Sequence, residues 1–269
     1  MEAAHAEAAH RLAITTSPPH VGGWNGRTIS SRAGTDHWLR VEATPDDRAT
    51  ARSPHQGIFG AEHIPDAVPR PRLHATVRWT KDGWTYDADL LTHIPHPVVS
   101  PHTPELLADP HLTDRWWADL HRALDHLVGV PTERETVQML WMRRSFPLFL
   151  GIDAPGRIER ATGHGDLHWA NLTHAPLTVM DWERWGSVPV GFDAGLLHAY
   201  SLRVPAVAAR VRHEFNGILD TPAGQLGELA ALCELLQSVA RGEYADIAGP
   251  LMDRAEALTG RRPPVPPSC

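Results

Sequence analysis

Hydrophobic and polar positions change period once along the chain. From Val21 to about His96 they read as strands and turns. Arg27–Ser31 and His37–Ala43 flank a turn at Ala33-Gly34-Thr35-Asp36, and Leu73–Thr80 and Trp84–Leu91 alternate around Lys81-Asp82-Gly83, a hairpin signal. Gly57–Ile64 reads as a short helix that Pro65, Pro69 and Pro71 forbid continuing. Residues 1–20 read as a weakly helical leader ending in Pro18-Pro19. After His96 the spacing becomes helical. Leu106, Trp116, Leu120, Ala123 and Leu127 mark a helix over Thr103–Val128, and a capping box, Thr132 with Glu135, opens a second over Thr132–Phe146. Thr162–Val190 reads as loop and short strand, Pro205–Phe215 and Thr221–Ala257 as helices, and Arg261–Cys269 as a proline-rich tail. The pattern predicts an α+β, two-lobed chain, with a β-rich lobe over residues 1–95 and a larger, mainly helical lobe over 96–269.

Composition narrows the classes. The 269 residues are 42% hydrophobic, enough for a packed core. A net charge of −7 gives no basic stripe, which argues against a nucleic-acid partner. No stretch approaches the roughly 18 apolar residues of a membrane span, and Met1–Ile14 lacks the basic start and apolar core of a signal peptide. Two cysteines, Cys233 and Cys269, can build neither a disulfide framework nor a four-thiolate zinc site, so the expected compartment is the reducing cytoplasm. Lys81 is the only lysine; nearly all positive charge is arginine. The 18 histidines are scattered with no tight metal-ligand pattern.

The chemistry concentrates in His164-Gly165-Asp166-Leu167-His168-Trp169-Ala170-Asn171, followed by Val179-Met180-Asp181-Trp182-Glu183. Glycine and clustered polar residues place Asp166 and Asn171 on a loop. Asp181 follows an apolar run, Leu177–Met180, that reads as a strand, and a tight hairpin between Asn171 and Asp181 would bring the two together. Two carboxylates and an amide oxygen suit phosphoryl transfer. That reaction needs hard oxygen ligands for Mg²⁺ on the nucleotide phosphates and a carboxylate that takes the attacking hydroxyl's proton. Taken singly, Asp166 reads as a helix cap, Asn171 as a turn residue and Asp181 as a strand end; the order and spacing together favour chemistry.

His-Gly-Asp-Leu-His-x-x-Asn with Asp-Trp-Glu about ten residues on resembles the catalytic and metal-binding segments of aminoglycoside phosphotransferases and related small-molecule kinases, which share the protein-kinase fold. The resemblance is clear over residues 163–198 and holds only in outline in the front lobe. It implies Asp166 as the base, Asn171 and Asp181 as Mg²⁺ ligands, and His164 as a loop anchor. It further implies that Asp193, in Gly191-Phe192-Asp193-Ala194-Gly195, braces the catalytic loop by accepting backbone hydrogen bonds. Glu183 reads equally as an outer hydrogen-bond acceptor or a substrate contact.

A kinase-like front lobe supplies a glycine-rich turn over the phosphates, a strand cation and an acid that orients it. Gly23, Asn25 and Gly26, in Gly22-Gly23-Trp24-Asn25-Gly26, fit the turn, an ordinary hairpin being the equal alternative. The third strand carries Arg40 where such families commonly place lysine, so Arg40 is the expected phosphate cation and Glu62 its candidate partner. Thr92, His93 and Ile94 form the connector expected to offer backbone hydrogen bonds to the adenine edge. The implied activity is ATP- or GTP-dependent phosphorylation of a small-molecule hydroxyl, on an aminoglycoside or another cationic antibiotic. Glu214, Asp220, Glu228, Glu234, Glu243, Asp246 and Asp253 offer acidic side chains for a polycation, or an ordinary solvated face. The alternatives are a metabolic kinase of the choline, homoserine or sugar type, and a nucleotide-binding pseudokinase.

Overall fold

The computed structural model describes residues 1–23, 26–49 and 54–264, with backbone alone for Pro54 and His55. Asn25 and Cys269 lie outside the described residues. The chain divides into two compact units, 1–96 with 178–183, and 97–177 with 184–269.

The front unit is a five-stranded antiparallel sheet, β1 (Thr16–Gly22), β2 (Thr28–Ala33), β3 (His37–Pro45), β4 (Leu73–Lys81) and β5 (Trp84–Thr92), in the order β1-β2-β3-β5-β4. Period-two alternation sorts β3 into two faces. Leu39, Val41 and Ala43 are buried, while Trp38, Arg40 and Glu42 alternate with them on the opposite face. Ile29, Leu39, Val41, Ala88 and Leu90 form a core with Ala8 of the leading helix α1 (Glu2–Arg11). The proline-bearing segment expected to end the leader is instead β1. It lies at the sheet edge, where proline's missing N–H leaves no broken ladder. The short helix α2 (Pro54–Gly60) and a 3₁₀ turn (Ala61–His63) lead toward β4. Lys81 is exposed at the β4–β5 turn, where Asp82 and Gly83 both take positive φ.

The back unit is mainly helical: α3 (Asp114–Val128), α4 (Met139–Phe149), α5 (Phe192–Ala199), α6 (Pro205–Glu214), α7 (Asn216–Leu219), α8 (Pro222–Ala240) and α9 (Ala248–Thr259), with one small ladder, β6 (Arg160–Gly163) against β7 (Gly186–Pro189). Three expectations shift here. The helix foreseen from Thr103 begins at Asp114, because Pro104 and Pro110 interrupt the run and Thr113 supplies the N-cap, accepting from the Trp116 N–H at 3.2 Å. The Thr132 capping box does not form. The Thr132 hydroxyl accepts from the Arg134 amide, Glu135 pairs with Arg160, and the helix waits until Met139. The long last helix breaks after Ala240, where Gly242 turns the chain at φ +86°. Among the described residues no helix is long and apolar enough to cross a membrane.

One buried ion network ties four of these helices together. Glu228 of α8, with 0% exposure, accepts from His198 Nδ1 on α5 at 2.8 Å, from Arg212 on α6 at 3.1 Å, and from Arg254 on α9 at 2.8 Å through each oxygen. Burial alone would raise this carboxyl; hydrogen bonds from Arg254 and His198 outweigh it and hold it down to about 2. A depressed carboxylate stabilises the fold above its unfolded value of about 4.3, and that contribution fades as pH falls toward the folded value. Glu228→Gln is therefore expected to cost about 3–5 kcal/mol at neutral pH, since it leaves the partly buried guanidiniums of Arg212 and Arg254 without their shared, fully buried counter-ion. Denaturant titrations against pH check this: the variant's stability should fall less steeply than the native protein's between about pH 4.3 and pH 2.

Candidate functional site

The loop that carries Asp166 grows from the end of β6. Gly163 is followed by His164, fully buried, and by Gly165 at φ +76°, where a Cβ would overlap the Arg184 carbonyl oxygen. Both amides point at one acid: His164 N–H donates to Asp193 Oδ2 at 2.6 Å and Gly165 N–H to Oδ1 at 2.9 Å. Asp193 sits in the first turn of α5, where a carboxylate also meets the positive end of the helix dipole. The brace implied by the family resemblance is thus present in this chain.

Beyond the clamp the loop is anchored by Trp169. Its ring is fully buried beside Trp116, and its Nε1–H donates to Ser201 Oγ at 3.0 Å. Between the two anchors the Asp166 carboxylate reaches a partly open position, 28% exposed. Asn171 ends a 3₁₀ turn (Trp169–Asn171) and donates its side-chain N–H to the Asp166 carbonyl at 3.0 Å. That bond fixes the amide orientation and leaves Oδ1 as the remaining polar atom, the hard oxygen donor that a divalent cation accepts.

Sequence reasoning missed the cation beside Asp166. Arg184 Nη1 lies 3.7 Å from Asp166 Oδ1, and Glu234 of α8 grips the same guanidinium through both oxygens at 2.5 and 3.0 Å. Burial pushes the Asp166 carboxyl above its ordinary value; Arg184 opposes that shift and Glu234 adds to it. One signal was present: Glu234 interrupts the apolar run Leu232-Cys233-Glu234-Leu235-Leu236, where an unpaired charge would be costly.

In the front unit Asp181 is exposed and adopts φ +58°, a strained conformation for a residue with a Cβ. No strand forms over Leu177–Met180; the Val179 N–H donates to Pro69 O at 2.8 Å and its carbonyl accepts from Trp182 Nε1 at 2.8 Å. Nor does a tight hairpin follow Asn171, because Leu172 and Thr173 pair with Val99 and Val98 instead. The glycine turn joins β1 to β2. Gly23 N–H donates to Thr28 O at 3.0 Å, Gly26 N–H to Gly23 O at 3.2 Å, and Gly26 has φ +65°.

Two front-unit expectations need correction. Glu62 does not meet Arg40. Its carboxylate accepts from Arg72 Nε and Nη2 at 3.0 and 2.8 Å and from the Leu73 amide at 3.0 Å, bracing the entry to β4. Arg40 pairs instead with Glu42 and with Glu183. In the connector, Thr92 N–H donates to Arg72 O at 2.9 Å and His93 N–H to Asp36 O at 2.8 Å, so these two amides are engaged within the sheet. Only Ile94 of the three has an amide without such a bond among the described residues.

The acidic residues of the back helices are answered internally. Glu214, Asp220, Glu228, Glu234, Glu243, Asp246 and Asp253 pair with Arg210, Arg212, Arg254, Arg184, Arg241, Arg203 and Arg262 respectively. They therefore give little support to a polycation-binding face.

No protein-family model matches this sequence, and no curated protein does. Solved structures do. A thermostable mutant of aminoglycoside phosphotransferase APH(4)-Ia, in ternary complex with AMP-PNP and hygromycin B, is 12% identical, covers 96% of this chain and 98% of its own, and has a TM-score of 0.64. Amicoumacin kinase hAmiN, in complex with AMP-PNP, Ca²⁺ and Ami, is 11% identical over 97% and 96% of the two chains, with a TM-score of 0.63. The GDP and kanamycin complex of APH(2")-IIIa is 14% identical over 94% and 99%, with a TM-score of 0.59. The chain has the α+β fold of the aminoglycoside phosphotransferases.

Proposed function

We propose that this protein is a small-molecule kinase that transfers the terminal phosphoryl group of ATP or GTP to a hydroxyl of its substrate. The observation that carries the reading is the Asp166 loop. A partly open carboxylate stands on a backbone clamped by Asp193, beside an asparagine whose amide is already oriented. Phosphoryl transfer asks little covalent chemistry of a protein and a great deal of positioning, and a doubly anchored loop supplies it.

In this reading Asp166 orients the acceptor hydroxyl and takes its proton as the bond to phosphorus forms. Arg184, held by Glu234, favours the charged form of that carboxylate and so opposes the larger, upward effect of burial. Asn171 Oδ1 and the Asp181 carboxylate are the oxygen donors for Mg²⁺, which when bound neutralises charge on the nucleotide phosphates. Arg40 and the Gly23–Gly26 turn serve the phosphates, and the Ile94 amide is the connector's donor to the base edge. The fold neighbours bind hygromycin B, kanamycin and Ami. An aminoglycoside or another cationic antibiotic is accordingly the acceptor class proposed here, in a cytoplasmic setting.

Three outcomes test the reading. Incubation with ATP or GTP and a panel of aminoglycosides, amicoumacin-type antibiotics, choline and homoserine should give a phosphorylated product detectable by mass spectrometry. No turnover with intact nucleotide binding would favour the pseudokinase reading. Asp166→Asn keeps the shape and loses the proton acceptor, so kcat should fall about 10²–10⁴-fold while nucleotide affinity changes little. Asp181→Asn should act differently. It should abolish most of the Mg²⁺ dependence of nucleotide binding, read by titrating ATP with and without the metal.

A further inference from the structure

Arg40 stands mid-strand on β3, on the sheet face opposite Leu39 and Val41. Cross-strand neighbours on that face are Asp89 beside Arg40, and Asp87 beside Glu42, with Arg78 of β4 bonded to Asp87 at 2.6 and 3.0 Å. Arg78 is thus occupied by its own carboxylate. Arg40 has two: Nη1 donates to Glu42 at 3.2 Å and Nη2 to Glu183. The side chains of Arg40, Glu42 and Glu183 are 15%, 12% and 20% exposed, so these contacts are largely shielded from water.

The two acids differ in what they can do. Glu42 sits two residues along the same strand, and its grip alone lets the guanidinium travel with the strand. Glu183 comes from 143 residues away and is held independently, because Gly57 of α2 packs directly on its backbone, where a Cβ would overlap the Glu183 carbonyl oxygen. Its carboxylate therefore gives the second Nη a fixed anchor. A planar fork held at both Nη atoms has a set plane, with further N–H donors left for an oxyanion. Glu183 is also two residues past Asp181, so the same bond ties the strand cation to the segment that carries a proposed metal ligand.

We infer that Glu183 is the positioning residue that aims Arg40 at the nucleotide phosphates, the role for which Glu62 was the sequence candidate. This rests on the reading of Arg40 as the phosphate cation. It gives the Asp-Trp-Glu segment a second task, and it makes the acid partner of the cation a residue of the segment after the catalytic loop. It also explains why a glycine stands at position 57, since any side chain there would displace the anchor.

A double-mutant cycle on the full chain tests it, with the dissociation constant of ATP in the presence of Mg²⁺ as readout. Arg40→Met and Glu183→Gln should each weaken ATP by about tenfold, and the double variant should be no worse than the weaker-binding single within about twofold, because Glu183 acts only through Arg40. Glu183→Asp, which keeps the charge, should retain affinity nearer the native value than Glu183→Gln. If Arg40→Met weakens ATP but the two losses multiply in the double variant, or if Glu183→Gln leaves affinity unchanged, the positioning role is overturned while the phosphate-cation reading stands. If Arg40→Met itself leaves affinity unchanged, both fall together. Thermal unfolding of each variant establishes that it is folded; should Glu183→Gln fail to fold, Glu183→Ala, which also removes the charge, completes the same cycle with the same criterion.

Discussion

The loop that carries Asp166 depends on one carboxylate accepting two consecutive amides. Asp193, half-buried at the start of α5, takes hydrogen bonds from the consecutive amides of His164 and Gly165. The turn that achieves it needs a positive φ at Gly165 and a close pass by the Arg184 carbonyl, which glycine alone permits. Everything downstream inherits that geometry. The chain leaves the clamp with Asp166 facing outward, descends to the buried ring of Trp169, and closes with Asn171 bonded back to the Asp166 carbonyl. A carboxylate on a loop anchored at both ends has little conformational freedom left to lose.

Many acids of the back unit are met by arginines. The surface pairs contribute little each, as exposed ion pairs do. The exceptions are Glu228, fully buried between Arg212, Arg254 and the His198 imidazole, and Glu234, which holds Arg184 against Asp166. Those two acids sit six residues apart on α8, so a single helix carries both the network that locks the helices and the one that sets the field at Asp166.

Much of this was legible in the residues. Period two marked β2 to β5, because those strands each present one face to the core. The spacing of Asp166, Asn171 and Asp181 pointed to phosphoryl transfer, because few other chemistries want that donor set in that order. Errors arose where tertiary partners overruled local signals. Thr132 and Glu135 look like a capping box, yet Arg160 and the Ser187 backbone claim that segment. Pro18-Pro19 looks like a terminator, yet an edge strand tolerates it. Glu62 was matched to Arg40 by analogy with a helix acid, while Arg72, ten residues on, was the nearer claimant. Arg184 was overlooked because its importance comes from Glu234, fifty residues later, and no local pattern links the two.

The near-absence of lysine has a chemical corollary. The only side-chain amine is Lys81, exposed at a hairpin tip, while the strand position facing Glu183 carries a guanidinium. Guanidinium groups stay protonated at any pH a folded protein meets, so they do not act as nucleophiles. Reagents that deliver an acyl tag from a nucleotide phosphate to a neighbouring lysine would find no acceptor at Arg40. With Arg40 at the phosphates as proposed, a survey of nucleotide-binding proteins built on such tags would pass over this chain.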